Sequence, residues 1–134
     1  MDRVTQAVRS KIMASVRTRD TGAEKAVRSL VHGLGYRYSL TRHDLPGRPD
    51  LAFVSRKKVI FVHGCFWHGH SCKYGRLPKS KLDYWKPKIE ANMKRDRQRI
   101  RQLNKTGWSV MVIWQCQLKK RKVLETRVRS FLDE

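Results

Sequence analysis

The stretch Phe61-Val-His-Gly-Cys-Phe-Trp-His-Gly-His-Ser-Cys72 holds three of the chain's five histidines and two of its three cysteines. Thiolates and imidazoles are the ligands of Zn²⁺, and a closed set of four marks a structural site. Cys65, His70 and Cys72 supply three such groups, and Cys116, just past a later apolar run, supplies a fourth. The alternative is three buried cysteines and a surface histidine. With zinc on His70, His63 and His68 are left to work beside a phosphate, where an imidazole of pKa about 6.5 is a usable neutral base. A zinc hydrolase built on His63, His68 and His70 ranks behind this, because cysteine ligands belong to closed sites. Phe66 and Trp67 sit between the first two proposed zinc ligands, so they cannot both enter a core while their neighbours hold a metal. Aromatics left outside in this way act as wedges between base steps. Trp85 is a third candidate, for which capping the core is an equal alternative.

In a chain this basic a carboxylate is the unusual group, and between Asp44 and Asp83 the one acid is Asp50. It follows the turn Pro46-Gly-Arg-Pro49 and opens an expected strand, and sheet ends are where α/β proteins place ligands. Asp50 is therefore either a ligand for a hard cation such as Mg²⁺ or a turn-forming aspartate paired with Arg48. Glu24 stands in Thr21-x-x-Glu24, the spacing of a capping box, which offers it a helix-capping role.

The whole chain must carry these groups in a field of positive charge. Its 134 residues contain 31 Lys and Arg against 11 Asp and Glu, a net charge of +20. Such a surface repels itself, and a polyanion whose counterions are released on binding relieves the strain, so nucleic acid is the leading partner. No run approaches the roughly 20 apolar residues of a membrane span, and the start MDRVTQAVRSK lacks a signal peptide's apolar centre. The charges are spread through the chain rather than gathered on one helix, which argues against a membrane surface. Three cysteines make no secreted disulfide framework, so a soluble, intracellular protein is expected.

The elements that position the site follow from periodicity. Ala23, Ala26, Val27, Leu30, Val31 and Leu34 form the stripe of an amphipathic helix ended by Gly33 and Gly35. Residues 1–20 repeat a weaker helical pattern among basic residues, as in an arm lying on DNA. Tyr36–Leu40, Asp50–Val54 and Val59–Val62 read as strands, the last fully apolar and central. Residues 63–84 read as a long functional loop. A basic helix is expected from about Pro87 to Leu103, with Ile89, Met93, Ile100 and Leu103 inward. Trp108–Trp114 reads as another strand, and Val123, Leu124, Val128 and Phe131 mark a closing helix. No linker divides the chain, and the order implies one domain over 1–134 with a mixed α/β sheet covered on both faces.

The segments TRDTGAEK (18–25), LPGRPD (45–50), FVHGCFWHGHSC (61–72) and KRDR (94–97) resemble the very-short-patch repair (Vsr) endonucleases of bacteria, from about residue 10 to about 118. The resemblance implies a restriction-endonuclease-like fold and a Mg²⁺-dependent nick beside the thymine of a T:G mismatch in DNA. It makes Asp50, with the main-chain carbonyl of Val62, the Mg²⁺ site, and makes His63, His68 and Glu24 active-site residues. It assigns Zn²⁺ to Cys65, His70, Cys72 and Cys116, intercalation to Phe66, Trp67 and Trp85, and contacts with the mismatched pair to Met13, Lys88 and Asn92. It also suggests a MutL-type partner, a cytoplasmic location and a monomer. Val62 stands where the best-known member has threonine, and Gly69 where it has histidine. The rival function is a zinc-stapled architectural DNA-binding module that bends DNA without cutting it.

Overall fold

The computed structural model describes residues 22–40, 44–72, 75–77 and 81–134. The basic arm over residues 1–20, Met13 within it and Thr21 of the capping box lie outside the described residues. Helix α1 (Gly22–Gly33) is followed by strands β1 (Ser39–Leu40), β2 (Leu51–Phe53) and β3 (Lys58–His63), then by helix α2 (Leu82–Lys105), strand β4 (Ser109–Trp114) and helix α3 (Arg121–Asp133). The strands lie in the order β1-β2-β3-β4, with β3 antiparallel to β2 and parallel to β4. A parallel neighbour requires a crossover, and α2 provides it.

Alternation along β3 feeds two cores, because successive side chains leave a strand on opposite faces. Ile60 and Val62 join Leu51, Phe53, Met111 and Ile113 against α1 and α3, through Val27, Leu30, Val31, Leu124, Val128 and Leu132. On the other face Val59 and Phe61 join Ala52 and Leu103 of α2. The expected mixed sheet with helices on both faces is thus observed. Leu103 is fully buried and pins α2 to the sheet. Leu103→Ala is expected to cost about 2–5 kcal/mol in a urea melt.

Several expected boundaries shift. Of Tyr36–Leu40 only the last two residues pair; the Tyr36 amide instead donates to the Val31 carbonyl at the end of α1, while the side chains of Tyr36 and Tyr38 donate to Asp133 and to the Arg28 carbonyl. The strand expected over Asp50–Val54 ends at Phe53, where the chain turns into a short 3-10 segment, Val54–Arg56. Helix α2 starts at Leu82, before Pro87 rather than at it. Proline at the sixth helical position denies a partner to the carbonyl of Asp83, and Asp83 is exposed, so water can serve it. Trp85, 3% exposed, anchors that first turn, which packing and not propensity selects. In α3 Val123, expected inward, faces solvent at 56% exposure, and Leu132, which the periodicity does not single out, is buried with Leu124 and Val128.

Lys58, buried at the start of β3, donates to the carbonyls of Phe131 and Glu134, and Arg56 donates to that of Leu132. Cations here answer the unpaired carbonyls and negative dipole end of α3.

Candidate active site

Sheet register gathers the chemistry at one edge. Pairing of Leu51 with Ile60 sets Asp50, one residue before β2, beside the end of β3. Pairing of His63 with Trp114 puts the ends of β3 and β4 side by side, so Cys65 and Cys116 each follow two residues later. A cleft of about 500 Å³ opens there, walled by Glu24 of α1, by the turn before β2, by His63 and His68, and by Arg95, Asp96 and Arg99 of α2.

Asp50 lies on its floor. The Val62 amide donates to Asp50 Oδ2 at 2.6 Å. Burial pushes the Asp50 carboxyl up to about 6; the Val62 amide pulls against this, while Glu24, in charge and hydrogen-bond contact with it, pushes the same way. Arg48 is not its partner, so the salt-bridged turn aspartate is not what the structure shows. Glu24, 9% exposed, is turned into the cleft against Asp50. Two carboxyls sharing one buried place favour a proton or a cation between them. The main-chain N–H and C=O of a strand residue leave on the same side, so the Val62 carbonyl faces the side from which its amide meets Asp50. Asp50 and Val62 therefore fit a hard cation, with waters completing its shell.

Beside the carboxyls lies a histidine pair. His63 and His68 stack at 3.8 Å between ring centroids, 3° from parallel. His68 Nδ1 meets Asp96 Oδ2 at 2.6 Å. His63 is buried, which drives its pKa down to about 4, helped by the neighbouring His68; among the described residues its Nδ1 has no hydrogen-bond partner. Asp96 was missed from sequence. A signal existed: Trp85, Lys88, Asn92 and Asp96 recur at helical spacing, one carboxylate closing a face whose other members are those the family resemblance assigns to the mismatch.

The ligand atoms of Cys65, His70, Cys72 and Cys116 all lie within 4.8 Å of one another, with Cys116 Sγ 3.6 Å from His70 Nδ1. Burial, with Cys72 and Cys116 alongside, pushes the Cys65 thiol up to about 11, a group that a bound cation would deprotonate. Three sulfurs and one nitrogen in a closed, half-buried cluster can hold a metal, and the reading of unrelated buried cysteines is set aside. His70 also stacks on Trp114 at 4.1 Å, which ties the cluster to β4. Gly69, at φ 63°, lies against α2, where a Cβ would stand 2.5 Å from Met93 Sδ and the Met93 side chain would have to shift.

The expectation of freely exposed wedges needs correction. Phe66 and Trp67 are half-buried and pack edge-to-face with buried Trp85, with centroids 5.1 and 5.9 Å away. Edge-to-face contact and escape from water make the cluster the resting state of these rings. Lys88 Nζ lies 5.7 Å from the Trp67 ring, and Asn92 Nδ2 donates to the Trp67 carbonyl at 3.0 Å.

A carboxyl pair and a histidine–aspartate pair, set at the end of a mixed sheet in an arginine-walled cleft, define a nuclease of the α/β class. The chain belongs to the family described as DNA mismatch endonuclease Vsr, whose model matches residues 1–74. It is 55% identical over 132 residues to the type II nicking enzyme V.XorIIP of Xanthomonas oryzae pv. oryzae, covering 98% of this chain and 97% of that one. It is 42% identical over 119 residues to the DNA mismatch endonuclease Vsr of Escherichia coli, covering 89% and 76%. The type II nicking enzyme V.NmeAIP of Neisseria meningitidis is 37% identical over 133 residues, covering 99% and 95%. The protein is an endonuclease. Among the described residues no helix is long and apolar enough to cross a membrane.

Proposed function

We propose that this endonuclease cuts one strand of duplex DNA at T:G mismatches, 5′ of the thymine, as a Mg²⁺-dependent enzyme acting where 5-methylcytosine has deaminated. The observation that carries this reading is the meeting of Asp50, the Val62 main chain and the His68–Asp96 pair in one cleft. Mg²⁺ held by Asp50 and the Val62 carbonyl would offset the charge that builds on the phosphate oxygens. Glu24 supplies the second carboxylate beside it and orients water.

Asp96 accepts from His68 Nδ1–H, so the lone pair of His68 sits on Nε2, where it takes the proton of the attacking water. His63 stays neutral above pH about 4, so it does not compete for that proton, and it hydrogen-bonds the phosphate. Asp96→Asn reverses the tautomer preference of His68, and single-turnover nicking is expected to fall about 10²–10⁴-fold with DNA affinity nearly unchanged.

Cys65, His70, Cys72 and Cys116 would hold Zn²⁺, which would brace the loop that carries His68, Phe66 and Trp67. Phe66, Trp67 and Trp85 open from their resting cluster to wedge beside the mismatch, a place where a weakened pair lowers the cost of unstacking. Met13, Lys88 and Asn92 face the mismatched pair, and the basic residues 1–20 and α2 hold phosphates. The reading takes residues 1–134 as one restriction-endonuclease-like domain, monomeric and cytoplasmic, with a MutL-type protein as helper. A T:G duplex labelled on either strand, incubated with Mg²⁺ and compared with its T:A control, tests it. One cut strand with a 5′-phosphate is the expected product; bending without cutting identifies an architectural module instead.

A further inference from the structure

Arg48 occupies a backbone conformation that its side chain disfavours. Its φ is 50°, in the left-handed region that residues with a Cβ enter at a cost. Among the described non-glycine residues only Lys57 and Lys81 share it; Lys57 ends a 3-10 segment and Lys81 caps a helix. Arg48 has no such role. The Arg48 amide donates to the Leu45 carbonyl at 3.1 Å, closing a turn in which Gly47, at φ 80°, takes the position that calls for glycine. Nothing in such a turn asks its fourth residue to be left-handed, and the proline that follows biases Arg48 toward extended backbone. If only the path of the chain mattered here, glycine or asparagine would serve better.

The guanidinium is what the position gains. Arg48 is exposed at the cleft that holds Asp50, with Arg95 and Arg99 on the α2 wall. Among the described residues none of the three is paired with a carboxylate. Gly47 is pressed so closely on α2 that a Cβ there would meet Arg99 Cδ at 3.0 Å and the Phe61 ring at 3.1 Å. The turn therefore packs on the Arg99 stem, and Arg48 and Arg99 both line the cleft.

We propose that Arg48, together with Arg99, grips the non-bridging oxygens of the phosphodiester being cut, and that the backbone strain at Arg48 is kept for this contact. The fork of a guanidinium matches two phosphate oxygens at once, which an ammonium does not. The assignment rests on the nuclease reading of the cleft. Its test compares the parent chain, Arg48→Gly and Arg48→Lys on the T:G duplex under single-turnover conditions, beside thermal melts and salt titrations of DNA affinity. Arg48→Gly is expected to nick about 10²–10³-fold more slowly. Its melting temperature holds or rises, because relief of strain outweighs or matches the freedom glycine adds to the unfolded chain. The salt slope of binding falls by about 1, and Arg48→Lys recovers the slope but only part of the rate. Arg48→Gly that nicks like the parent, or whose melting temperature drops along with its rate, overturns the assignment. A parent chain that nicks no mismatch sinks the reading of the cleft and this assignment with it.

Discussion

Asp50→Asn is expected to abolish nicking and, at neutral pH, to make the protein more stable. Asparagine keeps an oxygen for the Val62 amide but offers a cation no charge, and the several kcal/mol of Lewis-acid assistance at stake correspond to at least about 10³ in rate. The stability gain follows from the pKa of about 6 that burial imposes on Asp50. The unfolded chain releases the Asp50 proton near its ordinary value of 3.8 while the folded chain still holds it. The raised folded pKa thus favours folding below 3.8, and that benefit is lost as pH rises through 6. At pH 7 the parent bears the full cost of about 3 kcal/mol, which the amide removes. The variant should melt above the parent at pH 7 and level with it at pH 4. His63 acts with the opposite sign: its folded pKa of about 4 means that acid favours the unfolded chain between 6.5 and 4. Comparing variant with parent at each pH cancels that contribution. A variant that melts below the parent at pH 7 would show the Asp50 charge to be supporting the fold.

The second large effect runs the other way. Cys116→Ser is expected to strip the bound metal, lower the melting temperature by more than about 10 °C and suppress nicking together. A structural zinc site is worth on the order of 10 kcal/mol of binding free energy to the fold around it. Cys116 is the member of the proposed ligand set that would join the 65–72 loop to the segment after β4, so its loss would free both. The loop bears His68, and a displaced His68 leaves Asp96. Metal content by atomic absorption should fall from one zinc per chain to none. Retained stoichiometric zinc, or an unchanged melt, would contradict the ligand set.

Much of this site was legible before the fold. The stripe through Val27, Leu30 and Val31, the glycine stop at Gly33 and Gly35 after it and the apolar run of β3 are local signals, and local physics kept them. That Cys65, His70, Cys72 and Cys116 would come together was legible because few residue types ligate a metal such as zinc and the chain has no cysteine to spare. Asp96 was not, because a carboxylate on a basic helix reads as a surface ion-pair partner until the loop places His68 above it. Trp85 read equally as wedge or core; only the packing of Phe66 and Trp67 on it decides. The start of α2 was hidden for the same reason, since tertiary contact at Trp85 outweighs the proline two residues on. Arg48 carried no signal at all, because backbone dihedrals are not written in residue type.

On the proposed function, carboxylate chemistry at Asp50 turns DNA binding into strand scission. Its most direct measurement is single-turnover cleavage of an end-labelled T:G duplex by the parent and by Asp50→Asn, at saturating enzyme, with Mg²⁺ and with EDTA. The expected result is one nick 5′ of the mismatched thymine, made only by the parent and only with Mg²⁺, while both proteins bind the duplex. Scission that persists in Asp50→Asn, or in EDTA, would contradict it.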